Sequence, residues 1–552
     1  MQTGDIAEFG SSVIQDVWSC DTLDKAEAFI ASPRHASGDE SRYKIRMQNY
    51  VGGSFTTTST TDTPSSPQYI DAINPKTGRA FGQVPISSAD QVEQALRTAT
   101  DAFGAWSTTP AAARSKLLQR VAGLIQEHRE LFAVWESIDQ GKTLERARVE
   151  VDRAVSNFSY FSTFILHQQT AARVVDGSNI LTYEHRSPAG VFALISPWNM
   201  PLYLLTWKMA PCLAFGCTAV AKPSEITSMT AFLLCEVFRR AGLPAGAMNV
   251  VFGDGATTGS ALVRSPLVRG GVSFTGGTAT GIQIRRDTAD QIYKHLSLEL
   301  GGKNPTLVFG DVELDRAVAT AAMAAFENQG EICLCGSRIY VQSSIYDAFV
   351  AAFTTYVEAN YKCGERVGAV VSHQHYTKIR SYLLLAQSEG ATFFTSSSSS
   401  PPSSLSSPDT IIPPADPTDG YWIPPVTLTN IHPSSRLLQD EIFGPVATIS
   451  KFDTEDEAVR LANDNPNGLA AVLLTRDGGR MRRVGERLEA GLVWVNCWLV
   501  RELGTPFGGM KSSGTGREGA STAATSLRTC GRCICRFSDE MSPALSPSPT
   551  LT

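Results

Sequence analysis

The chain has 552 residues, of which 42% are hydrophobic and 18% charged, and its net charge is −6. The length predicts two or more domains with large cores, and the acidic balance argues against a general nucleic-acid binder. No apolar run is long enough to span a bilayer, and the start, MQTGDIAEFG, has no secretory pattern. The 11 scattered cysteines indicate reduced thiols, so we expect a cytoplasmic protein.

The first part of the chain is mainly helical in pattern. Residues 1–45 are weakly patterned and are interpreted as an extension outside the core. NYVGGSF, residues 49–55, predicts a short strand pair that turns at two glycines. Apolar residues at helical spacing predict helices over 88–103, 111–128 and 150–164. Residues 174–191 alternate and turn like a β-hairpin.

From about residue 190, short apolar strands alternate with helices. The predicted strands are VFALISP, CTAVAKPS, MNVVFG and GGVSFTG, and a second α/β series begins near Pro305. This alternation predicts parallel sheets covered by helices on both faces. The Ser/Pro-rich stretch 395–417 cannot form a packed core, so we predict a disordered surface loop there.

Three short motifs place reactive side chains beside glycines or strand ends. FENQGEICLCGSR puts Cys333 in a polar loop, which favours the electropositive, partly solvated setting of a thiolate, although a structural cysteine fits this loop alone better. PWN follows a buried strand, where Asn199 fits a ligand donor and a turn residue equally well. LELGGKNP holds Glu299 among apolar residues, which predicts a raised pKa, as a general base or as a buried structural group.

Further motifs fit the parts of a nucleotide. AKPSE, residues 221–225, offers a lysine and a glutamate to ribose hydroxyls, although a solvated charge pair is the simpler reading of that motif alone. FTGGTATG, residues 274–281, combines a strand, a glycine turn and a helix start, as phosphate sites do, but it is not GxGxxG. EIFGP, residues 441–445, offers a carboxylate and an aromatic ring, and PFGGMKSSGTGRE, residues 506–518, is a glycine-rich loop.

In this order the motifs resemble the NAD(P)-dependent aldehyde dehydrogenase superfamily over residues 49–518. The resemblance implies an α/β fold with a Rossmann-type parallel-sheet cofactor domain, a second α/β catalytic domain and a small β-hairpin oligomerisation element. The implied parts are an extension at 1–45, the NAD-binding domain at 46–168 and 188–300, the oligomerisation hairpin at 169–187, the catalytic domain at 301–497, a returning loop at 498–519 and a tail at 520–552.

The resemblance also implies roles. Cys333 would attack the aldehyde carbon, the Asn199 amide and the Cys333 N–H would stabilise the oxyanion, and Glu299 would activate water to hydrolyse the thioester. The residues implied to bind the cofactor are Trp198, Lys222, Glu225, Gly276, Gly277, Thr278, Glu441 and Phe443. The carboxylate of Glu225 repels a 2′-phosphate, which favours NAD over NADP, and Gly277 replaces a more usual serine.

A finer resemblance lies at NCWLVRELGTPFGG, residues 496–509, which is similar to the 2-aminomuconic and 2-hydroxymuconic semialdehyde dehydrogenases. Their substrates carry a carboxylate, which Arg501 and Arg153 are implied to bind. The alternatives are a structural loop arginine for Arg501 and a surface helix charge for Arg153. Two other functions stay open: an aldehyde dehydrogenase of a biosynthetic pathway, and a catalytically impaired binding protein.

Three departures from the family pattern stand out. Residues 361–373 are shorter than the family's equivalent and lack its Gly-Pro-Leu turn, and the Ser/Pro insert replaces a compact glycine turn. After Gly519 the family continues with a helix and an interface strand, and this sequence predicts neither, which puts the expected dimer or tetramer in doubt. The cluster Cys530, Cys533 and Cys535 lacks a second Cys/His pair, so we predict no metal.

Overall fold

The computed structural model describes residues 12–31, 45–56, 68–176, 179–395, 412–519, 522–523 and 526–536. Among these residues, no helix is both long enough and apolar enough to cross a membrane. The helices are α1 Ser12–Trp18, α2 Leu23–Ala31, α3 Ala89–Thr108, α4 Ala111–Glu127, α5 Arg129–Gln140, α6 Leu144–Phe164, α7 Pro201–Ala214, α8 Met229–Ala241, α9 Ser260–Arg264, α10 Thr278–Asp287, α11 Leu314–Phe326, α12 Tyr346–Asn360, α13 His373–Ser388, α14 Arg436–Gln439, α15 Glu455–Asn463 and α16 Gly478–Gly485.

The first large sheet has eight strands in the order β22-β12-β11-β8-β9-β10-β2-β3. Its strands are β2 Asn49–Val51, β3 Ser54–Thr56, β8 Val191–Ile195, β9 Thr218–Lys222, β10 Met248–Val250, β11 Gly271–Thr275, β12 His295–Glu299 and β22 Gly514–Thr515. The five central strands pair in parallel, and the outer ones are antiparallel. The central strands are apolar and mostly buried, as a sheet with helices on both faces requires.

The second large sheet has seven strands in the order β15-β16-β17-β14-β13-β19-β20, all parallel to their neighbours except β15. Its strands are β13 Pro305–Val308, β14 Arg338–Gln342, β15 Thr392–Thr395, β16 Val426–Thr429, β17 Val446–Phe452, β19 Ala470–Leu474 and β20 Leu492–Val495. The predicted α/β class with two parallel sheets is confirmed. Most of the predicted loop 395–417 lies outside the described residues.

Three small sheets complete the fold. They are formed by β1 Ile45–Arg46 with β4 Tyr69–Asn74 and β5 Arg79–Pro85, by β18 Asn467–Gly468 with β21 Met510–Lys511, and by β6 Ala172–Val174 with β7 Ile180–Pro188 and β23 Arg528–Arg536. The predicted hairpin is thus present as β6 and β7. The helix predicted over 88–103 is present as α3, and Ser88 and Gln91 form a reciprocal capping box at its start.

Two predictions about the chain ends are wrong. Residues 12–31 form α1 and α2, whose Ile14, Val17 and Ala26 are buried in the main core, so they are not an extension outside it. The segment after Gly519 does contain a strand, since all nine residues of β23 pair antiparallel with β7. Cysteine, arginine and glycine have no marked strand preference, so this strand owes its formation to pairing with β7 rather than to its own sequence.

Candidate active site

A cleft opens at the carboxyl ends of the central strands of the first sheet, where ligands of open α/β sheets bind. It consists of two adjoining cavities of about 440 and 520 Å³. Both are lined by Trp198, Gly276 and Gly277, and the first cavity also reaches Asn199, Glu299 and Cys333. The cleft therefore brings together the segments that follow β8, β9, β11 and β12. The Cys333 loop of the second large sheet meets them there, as the order of the motifs in the sequence predicts.

Cys333 is half-buried at the floor of this cleft. Its pKa is raised to about 12 by burial and then by the carboxylates of Glu441 and Glu299, while Arg501 acts in the opposite direction. The partly solvated setting predicted for this thiol is present. The electropositive part of the predicted setting is wrong, because burial and two carboxyl groups raise the pKa of this thiol and one arginine only partly opposes them.

Asn199 is buried beside the Cys333 loop. Its Nδ2 donates to the main-chain carbonyl oxygen of Glu331 at 2.8 Å. The main-chain carbonyl oxygen of Asn199 accepts from Lys142 Nζ at 3.1 Å and from Asn328 Nδ2 at 3.2 Å. One of the two amide protons is thus used to orient the side chain. The other is left for a ligand in the cavity that Asn199 lines. This arrangement favours the donor role over a turn-forming role.

Glu299 ends β12 and is 4% exposed. Neither carboxyl oxygen has a hydrogen-bond partner among the described residues. Burial, followed by the charge of Glu518, raises its pKa well above the ordinary value, as the apolar sequence around it predicts. Glu518 is held by Lys208 Nζ at 2.8 Å and Ser273 Oγ at 2.9 Å, and neither Lys208 nor Glu518 was identified from the sequence.

The second cavity has the features of a nucleotide site. Lys222 Nζ lies 3.3 Å from Glu225 Oε2, and both residues line this cavity. Gly277 precedes α10 and no side chain caps that helix, so its first N–H groups can face an anionic group. Of the described residues predicted to bind the cofactor, Thr278 alone does not line either cavity.

Glu441 and Phe443 lie on the opposite wall. Glu441 Oε1 accepts a hydrogen bond from the Gly302 N–H at 2.8 Å, and burial raises its pKa. Phe443 has a left-handed φ of 62°, and its ring packs edge-on against Trp198 with centroids 5.2 Å apart. These contacts bring three of the predicted cofactor residues together around the first cavity.

His375 lies in the same wall and was not predicted. Its Nε2 is 2.6 Å from the carbonyl oxygen of Phe443, and its ring centroid is 4.9 Å from that of Trp198. Burial lowers its pKa to about 4, so the ring is neutral at physiological pH and donates from Nε2. A single histidine in QHYTKI carries no signal of this role, because the contacts come from segments distant in the chain.

Arg153 and Arg501 approach one another at Tyr203. Their guanidinium carbons are 5.4 and 5.7 Å from the centroid of that ring, and Arg501 also lies 4.3 Å from the ring of Phe507. Within the described part of the chain, neither guanidinium has a hydrogen-bond or ion-pair partner. Burial, together with the charge of Arg501, lowers the pKa of Arg153. The structure therefore shows neither a structural bond for Arg501 nor a solvated surface charge for Arg153.

No group of three or more His, Cys, Asp or Glu side chains that could hold a metal ion occurs among the described residues. A nucleotide cleft with a thiol, an amide donor and an unpaired carboxyl group at its floor defines an enzyme that acts on a carbonyl carbon. The sequence pattern of the aldehyde dehydrogenase family matches residues 62–529, and the chain belongs to that family. The prediction of an aldehyde dehydrogenase is confirmed.

Several relatives are similar over nearly their whole length. The 2-aminomuconic semialdehyde dehydrogenase of Danio rerio is 44% identical over 482 residues, which are 86% of this chain and 94% of that protein. The 2-hydroxymuconic semialdehyde dehydrogenase of Pseudomonas sp. strain CF600 is 37% identical over 490 residues, 86% of this chain and 96% of that protein. The betaine aldehyde dehydrogenase of Staphylococcus aureus, solved with NAD+, superposes with a TM-score of 0.82 at 33% identity, covering 91% of this chain and 96% of that chain.

Proposed function

We propose that this protein oxidises a semialdehyde that carries a carboxylate, such as 2-aminomuconic or 2-hydroxymuconic semialdehyde, with NAD as the hydride acceptor. The observation that carries the substrate class is the pair Arg153 and Arg501, two unpaired guanidiniums beside one tyrosine. An anionic ligand group gives both a partner through charge-assisted hydrogen bonds. The names of the relatives described above support the same class.

The residues at the cleft floor fit each step of this oxidation. Because the pKa of the Cys333 thiol is raised, its proton must first pass to a base, and the unpaired carboxyl group of Glu299 in the same cavity would accept it and release it to solvent. The thiolate then adds to the aldehyde carbon, and the oxyanion accepts hydrogen bonds from the second amide proton of Asn199 and from the Cys333 N–H. A bound NAD would supply the hydride acceptor, and loss of the hydride from the adduct carbon would leave a thioester on the Cys333 sulfur. Glu299 removes a proton from the water that hydrolyses this thioester, since its unpaired carboxyl oxygens lie in the same cavity as Cys333.

The second cavity fits NAD. Lys222 and Glu225 would bind the adenosine ribose, the backbone around Gly276 would approach the pyrophosphate, and Glu441 with Phe443 would hold the nicotinamide end. A carbon added to Gly276 would lie 2.5 Å from the Phe274 ring, so glycine is needed to keep this turn against its strand. The negative charge of Glu225 disfavours the 2′-phosphate of NADP.

We also propose a cytoplasmic homo-oligomer. All 11 cysteines are free thiols, as a reducing compartment favours. Among the described residues, β23 lies at the edge of its sheet with β7 and β6, and its Ile534 is 72% exposed. An exposed apolar side chain on such an edge favours contact with a second subunit. Because β23 is present, the sequence-based reason for a catalytically impaired protein is removed.

The test is NADH formation by the purified protein with two aldehydes of equal length, one with a terminal carboxylate and one without. We expect a higher kcat/KM for the carboxylated aldehyde, since only it pairs with the arginines. Cys333→Ala serves as the blank for adventitious reduction. Equal kcat/KM values for the two aldehydes would contradict the proposed substrate class and favour a biosynthetic enzyme with a neutral substrate.

A further inference from the structure

The loop that carries Cys333 has an unusual backbone. Three successive residues are left-handed, namely Asn328 with φ 53°, Gln329 with φ 46° and Gly330 with φ 73°. A carbon added to Gly330 would lie 2.2 Å from the Gly444 carbonyl oxygen, so that position admits only glycine. For the two other residues this conformation costs about 1–3 kcal/mol each, and it persists where surrounding contacts enforce it.

The enforcing contacts converge on a buried carboxylate, Glu331. Its two oxygens accept hydrogen bonds from Gln140 Nε2 at 2.7 Å, Gln329 Nε2 at 3.0 Å and the Val371 N–H at 3.1 Å. Gln140 ends α5, Gln329 belongs to the strained loop, and Val371 precedes α13. Three separate segments are thus tied to the side chain two positions before Cys333.

The backbone of Glu331 in turn holds the oxyanion donor. Its carbonyl oxygen is the acceptor that orients the Asn199 amide, at 2.8 Å. On the other side, Lys142 holds the Asn199 carbonyl oxygen, and its ammonium is fixed by Glu150 Oε2 at 2.6 Å. Gln140 and Lys142 are two positions apart across Gly141, which has φ 92°, so one short segment supports both Asn199 and the loop of Cys333.

We infer that Glu331, together with Gln140, is a positioning residue that fixes the Asn199 amide against the Cys333 N–H, so that both point at one oxyanion. The inference rests on the proposed function, because it takes the roles of Asn199 and Cys333 from it. Neither Glu331 nor Gln140 lines the cleft. Their effect therefore falls on kcat, and binding of the cofactor does not depend on them.

Burial raises the pKa of Glu331 to about 8, but its hydrogen-bond partners suit the ionised carboxylate, because a protonated oxygen would find no acceptor among them. Every group within hydrogen-bond distance of the Glu331 carboxylate is a donor, while Gln140 Oε1 already accepts from the Lys142 N–H at 3.1 Å and Gln329 Nε2 at 3.3 Å. Glu331→Gln consequently sets one N–H₂ group against another donor. The reciprocal exchange, Glu331→Gln with Gln140→Glu, restores the bond between these two side chains, because the new carboxylate faces the new amide and still accepts from the Lys142 N–H. One mismatch is left, since the new amide at position 331 also faces Gln329 Nε2.

The experiment compares kcat, the KM for aldehyde, the Kd for NAD and the free energy of unfolding in full-length variants. For Glu331→Gln we expect kcat to fall about 10- to 100-fold, the loss expected when an oxyanion donor is displaced. The Kd for NAD should not change. The reciprocal double variant regains most of the lost kcat, because the bond between the side chains at positions 331 and 140 is restored. The control is Glu236→Gln, which removes a buried carboxylate on α8 that is paired with Arg239 and Arg240. This substitution should lower the free energy of unfolding and leave kcat unchanged.

If Glu331→Gln does not fold, Gln140→Ala takes its place, since it removes one of the three donors and leaves the carboxylate buried. A variant that folds and keeps the wild-type kcat overturns the inference. So does a double variant that regains stability without regaining kcat, because the role is then structural only. Wild-type protein that forms no NADH refutes the proposed function instead, so the two failures are distinguishable.

Discussion

The two arginines at Tyr203 give the sharpest test of the substrate. Arg501→Ala removes a guanidinium that has no acceptor within the described residues, so its full hydrogen-bonding capacity is available to a ligand. A hydrogen bond to a charged group contributes about 1.5–3 kcal/mol, which corresponds to an about 10- to 150-fold loss of kcat/KM for a carboxylated aldehyde. Arg501 also lowers the pKa of Cys333 and of Glu299, so a smaller loss is expected for every aldehyde.

The measured quantity is therefore the ratio of kcat/KM values for the carboxylated and the neutral aldehyde. This ratio should fall in Arg501→Ala and in Arg153→Ala. In the double variant it should fall by less than the product of the two single-variant factors, since both side chains would bind one carboxylate. Arg153→Met should raise the midpoint of thermal unfolding while lowering the ratio, because it removes a largely buried charge that has no partner. Equal losses for both aldehydes in each variant would refute the carboxylate-binding role.

Four further predictions concern the rest of the molecule. Cys333→Ala should abolish NADH formation and keep NAD binding, measured by fluorescence titration. Glu225→Ser should improve kcat/KM with NADP relative to NAD, because the repulsion of the 2′-phosphate is removed. The pKa of His375 in the folded protein is about 4, below its unfolded value. The buried neutral ring therefore lowers the free energy of unfolding as the pH falls from about 6.5 to 4, by about 3 kcal/mol in total. His375→Gln should flatten that part of the pH–stability curve. Removal of residues 528–552 should lower the unfolding midpoint and the assembly size in sedimentation, since β7 loses its partner strand.

The fold class and the position of the cleft could be predicted from the sequence because both depend on local patterns. Buried apolar strands alternate with helices, and the carboxyl ends of parallel strands lie along one edge of a sheet. Residues at or just beyond the ends of such strands, such as Lys222 at the end of β9 and Asn199 after β8, must therefore lie near one another. Glu299 was predictable for a related reason, since its apolar neighbours in the sequence are also its surroundings in the fold.

The chain ends were misjudged because their structure depends on distant partners. α1 has seven residues, too few for a helix that is stable alone, and it is held by contacts such as that of Trp18 with Arg240, whose guanidinium carbon lies 4.0 Å from the ring centroid. The strand β23 likewise depends on β7, which lies more than 300 residues earlier. The local propensity of these segments does not predict either contact.

The electrostatics of Cys333 show a further limit of local patterns. Its neighbours in the loop are small and polar, which favours a reactive thiolate, yet the charges that act on it come from Glu441, Glu299 and Arg501, each on a different segment. The same holds for the contact between Gln140 and Glu331, which lie 191 positions apart. Groups that react with a substrate are found within single motifs, whereas the groups that set their pKa and orientation are ordinary polar residues brought together by the fold. For this reason the sequence could single out Cys333 and Asn199 as candidates, but it could predict neither the charges that act on the Cys333 thiol nor the contacts that hold the Asn199 amide.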